Sequence, residues 1–98
     1  MFVGLGILDL ELPHVHDLKA KRRVVRSLID RLHSSRHRIS AAETGKQDRL
    51  QRAEIGVALV TSSEASAQKL LDEVLRLADE ESAAVVLGWE PQILEEGG

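Results

Sequence analysis

The hydrophobic period of this chain alternates between two and 3.6 residues along six successive segments, and that alternation restricts the fold more than any single motif. In the first segment, Phe2 to Leu12, Leu8, Leu10 and Leu12 alternate with Asp9 and Glu11, while Val3, Leu5 and Ile7 place apolar groups on the other face. A strand that is apolar on both faces belongs in the middle of a sheet. Gly4 and Gly6 share the face of Leu8 and leave room there for a helix or a second subunit to approach. Pro13 ends the strand, and Asp17 is suited to cap a helix that starts at Leu18. Leu18, Val25, Leu28, Ile29 and Leu32 then fall on one arc, with Val24 at its edge. No Gly or Pro interrupts the run before Gly45, so the spacing predicts a helix to about Ser35.

Ile39 to Thr44 reads as a weak strand of small residues, suited to a sheet edge, and residues 45–50 as a polar connection. Arg52 to Thr61 is a second strand rich enough for a central position. Ser62 or Ser63 caps a second helix whose buried arc is Ala67, Leu70, Leu71, Val74, Leu75 and Ala78. Ala84 to about Trp89 is the last strand; Pro91 cannot donate to a ladder, which puts this strand at an edge, and 93–98 is expected as a frayed tail. The order strand, helix, strand, strand, helix, strand, with right-handed crossovers, predicts an α+β ferredoxin-like βαββαβ fold. In it a four-stranded antiparallel sheet carries two helices on one face and leaves the other free. A chain of 98 residues suits one such domain spanning 1–98.

Several functional classes find no support in the residues. The chain has no cysteine, which excludes a disulfide scaffold, a thiol nucleophile and cysteine-ligated metals. No apolar run approaches the ~20 residues of a membrane span, and Met1 to Gly4 follows no basic region, so neither membrane insertion nor a signal peptide is expected. His14, His16 and Asp17 resemble half of a metal site, but no second ligand pair has supporting spacing, since His33 and His37 straddle the helix end. These histidines are expected at the surface, with no metal and no cofactor. Gly4-Leu5-Gly6 begins a dinucleotide fingerprint, yet Asp9 stands where the third glycine belongs. No serine sits in a Gly-flanked elbow, and no catalytic residue is assigned.

Charge is more informative. From Lys19 to Arg52 there are 11 Lys/Arg against 3 Asp/Glu, a net of +8, whereas from Ala53 to Gly98 there are 2 against 10, a net of −8. The overall charge of −3 therefore conceals a strongly basic segment. Lys19, Arg22, Arg23 and Arg26 lie within about a 100° arc of the first helix, opposite its apolar face. Such a stripe suits a phosphate backbone, with Arg49 and Arg52 adding charge nearby. Lys19 to Arg23 also oppose the helix dipole, which invites an anion or a carboxylate. Lys21 falls inside the apolar arc: its stem can snorkel outward, or its ammonium can meet Glu11, Glu43 or Glu54 at the sheet rim. Aromatic residues number two, Phe2 and Trp89, so a nucleic acid should be met through phosphate and shape rather than by base stacking.

The run from Leu18 to Leu32, with Val3-Gly4, Ala42-Glu43 and Gln51-Arg52-Ala53-Glu54-Ile55-Gly56-Val57-Ala58, resembles the YlxP-like family, a bacterial domain-of-unknown-function family, over roughly residues 1–95. The resemblance implies a ferredoxin-like fold and a small cytoplasmic protein without assigned catalysis. Genes of this family often lie among those for translation initiation and ribosome maturation, which implies a ribosome- or RNA-associated role. Two positions depart from the family pattern: His37 and Leu50 stand where relatives often carry aromatics. The leading expectation is a non-enzymatic RNA- or ribosome-binding module in which Lys19, Lys21, Arg22, Arg23 and Arg26 contact phosphate, helped by Arg49 and Arg52. The alternatives are a homo-oligomeric module pairing through the open sheet face with Gly4, Gly6 and the third strand, and a small-ligand-binding ferredoxin-like domain.

Overall fold

The computed structural model describes residues 1–35 and 39–97. Strand β1 spans Phe2–Glu11, helix α1 Leu18–Ser34, β2 Ser40–Gly45, β3 Arg52–Thr61, α2 Glu64–Asp79 and β4 Val85–Glu95. All strand pairs are antiparallel, in the spatial order β2-β3-β1-β4. The two most apolar strands therefore take the centre and the small-residue and proline-bearing strands the edges. This is the arrangement expected from strand composition, because a central strand must bury both of its flanks.

The two faces of the sheet are set by parity. Leu8 and Leu10 on β1 and Ala53, Ile55, Val57 and Leu59 on β3 are buried beneath the helices. Helix α1 adds Val25, Leu28 and Leu32; α2 adds Ala67, Leu70, Leu71, Val74 and Ala78. Each of the large side chains with almost no exposure, such as Leu8, Leu28, Ile55 and Leu71, contributes about 1.5–3 kcal/mol through burial. Both helix starts are closed by side-chain caps: Asp17 Oδ1 accepts from the Ala20 amide at 2.7 Å, and Ser63 Oγ from the Ser66 amide at 3.1 Å.

Three local expectations need correction. Leu18 is not part of the buried arc; it is the first residue of α1 and is 48% exposed. The expected tail at 93–98 is ordered through β4: the strand continues past Pro91 to Glu95, Ile93 packs against the core, and the Glu96 amide donates to the Met1 carbonyl at 2.8 Å. Pro91 does not stop the strand because β4 is an edge, where alternate amides have no ladder partner. Gly4 and Gly6 lie on the helix-covered face, so they cannot line an interface on the open one. A Cβ at Gly4 would press on Leu59 and Leu71, and one at Gly6 would overlap the Trp89 indole, which lies across it.

The open face carries Val3, Leu5, Ile7, Asp9 and Glu11 of β1 beside Val60, Ala58, Gly56, Glu54 and Arg52 of β3. Its apolar end is exposed, with Ile7 at 45% and Val60 at 64%. Its other end is charged. Among the described residues, no helix is long and apolar enough to cross a membrane.

Candidate nucleic-acid interface

Helix α1 separates its side chains by angle. The arc of Val25, Leu28 and Leu32 is pressed onto the sheet, so the opposite arc must face solvent. Lys19, Arg22, Arg23 and Arg26 occupy that exposed arc. With Ser27 and Asp30 they line a shallow groove of about 630 Å³. At helical spacing they form two parallel rows, Lys19-Arg23-Ser27 and Arg22-Arg26-Asp30, with neighbours in a row about 6 Å apart. Among the described residues, none of the four cations has an ion-pair or hydrogen-bond partner. The first turn of α1 holds no acidic residue; the carboxylate nearest its start is the capping Asp17, bound to the Ala20 amide.

The other expected contacts do not belong to this stripe. Lys21 is 3% exposed. Its ammonium donates to the carbonyls of Lys46 at 2.8 Å and Arg49 at 2.6 Å, and meets Glu43 Oε2 at 3.2 Å. A group so enclosed cannot reach a phosphate; it fastens α1 to β2 and to the β2–β3 turn instead. Of the two readings the sequence allowed, the rim contact with Glu43 holds and the outward snorkel does not. Arg52 is also removed: its Nη2 bridges both carboxylate oxygens of Asp9 at 3.1 and 3.0 Å on the open sheet face, away from α1. Arg49 is exposed in the turn, where its amide donates to the Lys46 carbonyl at 3.1 Å. Arg31, near the end of α1, is neutralised by Glu80 at 3.0 Å and Glu81 at 3.7 Å, which face it from beyond α2. Arg36 and Arg38, which belong to the basic segment from Lys19 to Arg52, and the departure at His37 lie outside the described residues.

One cluster escaped the sequence reading. Asp9 is held by Lys46 Nζ at 2.5 Å as well as by Arg52. The hydrogen bond from Lys46 and, secondarily, the Arg52 guanidinium hold the Asp9 carboxyl below its ordinary range against the opposing effect of desolvation. Lys46 reaches Asp9 from a left-handed backbone at φ 57°, a conformation no periodicity announces. The adjoining Thr44 donates to Glu54 Oε2 at 2.8 Å, completing a polar rim on the open face. Above this rim a trough of about 460 Å³ is lined by Leu5, Ile7, Ala42, Gly56 and Ala58. His14 and His16 are exposed, and among the described residues no three of His, Cys, Asp and Glu come together as metal ligands.

The family described as "Protein of unknown function (DUF503)" matches residues 3–90, which includes all of α1 and the whole sheet up to the middle of β4. The chain belongs to the DUF503 family. This DUF503 chain is also 37% identical over 77 residues to the uncharacterized protein YlxP of Bacillus subtilis (strain 168), covering 79% of itself and 83% of that relative. The YlxP-like resemblance is thereby established. Among solved structures, a de novo designed protein with a ferredoxin fold, LFR1 1, superposes with a TM-score of 0.51 at 14% identity, over all of this chain and 88% of that one. At that identity the likeness bears on fold alone, and it agrees with the βαββαβ order. A structural-genomics protein, YJCS, aligns with a TM-score of 0.48 at 11% identity, over 92% of this chain and 96% of its own.

Proposed function

We propose that this DUF503 protein is a non-enzymatic, cytoplasmic RNA- or ribosome-associated binding module that holds phosphate through α1. The observation that carries this reading is the unpaired exposed stripe of Lys19, Arg22, Arg23 and Arg26 on a molecule of net charge −3. Here Arg31 and Arg76 do find carboxylates, while the four stripe cations do not. Arg49 is exposed in the β2–β3 turn, apart from the stripe; Lys21 and Arg52 support the frame and contact no phosphate.

The test is the salt dependence of binding to ribosomal RNA or ribosomal subunits. Four phosphate contacts give a log–log slope of about −3 to −4, which is roughly a hundredfold loss between 50 and 200 mM salt. Arg22→Glu/Arg26→Glu should lower the slope by about 2, whereas Lys69→Glu, an exposed reversal on α2, should leave it unchanged. Association that ignores salt, or that survives the double reversal, removes α1 from the reading.

A further inference from the structure

Resting on that reading, we infer that the α1 face is built for duplex, A-form RNA and tells it from DNA through Asp30. Three observations lead there.

The first concerns what the molecule lacks for single strands. A ferredoxin-like sheet that reads single-stranded RNA does so with aromatic side chains on its open face, on which bases stack. Here Phe2 and Trp89 both sit on the helix-covered side, half-buried against the core, and Trp89 is further occupied by covering Gly6. Among the described residues, the open face offers only aliphatic and small side chains along β1 and β3, ending in the Asp9–Lys46–Arg52 cluster, whose two cations are already committed to Asp9. Among the described residues, no Phe, Tyr or Trp lies on the open face to stack bases, which favours a ligand that presents its backbone with its bases paired.

The second is the order of groups along α1. Both rows begin with cations and end with a polar acceptor: Lys19-Arg23-Ser27 and Arg22-Arg26-Asp30. A uniform polyanion sensor would gain nothing from a carboxylate in this line. Asp30 is exposed, and among the described residues no cation is paired with it. Opposite a phosphate it repels; opposite a hydroxyl it accepts a charge-assisted hydrogen bond. Ser27 is already turned toward Glu81 Oε2 at 3.4 Å, which leaves Asp30 as the free acceptor.

The third is the geometry of the ligand that satisfies both halves. An A-form helix has a wide, shallow minor groove that displays 2′-hydroxyls between its phosphate rows. A helix face with cations through its first three turns and an acceptor one turn further on matches that alternation of phosphate and hydroxyl. B-form DNA offers phosphate to the cations and no hydroxyl to Asp30.

The experiment measures affinity for a 20-bp RNA duplex, the DNA duplex of the same sequence, and one strand of the RNA alone, at matched salt. Expected is tighter binding of the RNA duplex than of either other probe, by about tenfold over DNA. Asp30→Ala should bring the RNA and DNA duplexes to equal affinity with the salt slope unchanged. Asp30→Asn, which keeps an acceptor oxygen and drops the charge, should retain the preference while strengthening binding to both. Equal wild-type affinity for the two duplexes or a preference for the single strand overturns the assignment of duplex RNA, and an Asp30→Ala variant that keeps the preference overturns the role of Asp30; each leaves polyanion binding by α1 standing. Salt-insensitive or absent binding to all three probes overturns the reading beneath it.

Discussion

At the scale of single residues, Lys21 and Gly6 show how much a position can carry without touching any ligand. The Lys21 ammonium satisfies two carbonyls of one turn and a carboxylate of the neighbouring strand from a site with almost no solvent. Replacing it by methionine keeps the stem and leaves the Lys46 and Arg49 carbonyls and Glu43 without their donor. A loss of about 2–4 kcal/mol in urea unfolding is expected. Gly6 gives a second, independent outcome. Gly6→Ala drives a methyl group into the Trp89 ring and should cost about 1–3 kcal/mol. Since Trp89 is the chain's single tryptophan, a change in its fluorescence should accompany that loss. An unchanged spectrum and stability would mean that the indole does not rest on Gly6.

At the scale of elements, β1, β4 and the β2–β3 turn depend on one another. Asp9 in β1 anchors both Lys46 of the turn and Arg52 of β3. Its carboxyl is held below its ordinary value in the folded state, chiefly by Lys46. The stabilisation is therefore complete above the unfolded pKa and is lost as pH falls through the folded one. Wild-type stability should decline with acidification below about pH 4, and Asp9→Asn should remove that component while lowering stability at neutral pH. Denaturant midpoints at pH 3 and pH 7 for both proteins check the sign. Strand β4 supplies a further outcome. Its distal end was expected to be a loose tail, yet Ile93 packs on the core and Glu96 pairs with Met1. Truncation after Gln92 should lower stability by about 2 kcal/mol through lost burial and ladder hydrogen bonds. Local pattern carries the strand only to about Trp89; pairing with the neighbouring β1 extends it to Glu95.

At the scale of the whole molecule, charge and fold are separable. The stripe cations are exposed and unpaired, so Arg22→Glu/Arg26→Glu should change the melting temperature little while altering phosphate binding strongly. Thermal melts beside the binding series check that separation; a large stability loss would mean that the stripe serves the fold. Much of the architecture was legible from periodicity. The cap at Asp17, the core arcs of both helices apart from Leu18 and the central placing of β1 and β3 follow from side-chain pattern, because a residue's hydrophobicity and spacing are carried by the chain itself, while the choice of Ser63 over Ser62 as the second cap came from the fold. The exposed arc holding Lys19, Arg22, Arg23 and Arg26 was legible for the same reason, since 3.6-residue spacing fixes which side chains oppose the buried ones.

What pattern could not assign was partnership across distance. Lys21 and Arg52 carry the same charge as their neighbours, and nothing in their local sequence separates a cation facing solvent from one enclosed against carbonyls or bridging a carboxylate. The order and amphipathic faces of the elements are matters of short-range spacing and can be read along the chain. Which cations remain unpaired is settled by folding, because an ion pair such as Arg52 with Asp9 joins residues brought together by the pairing of strands.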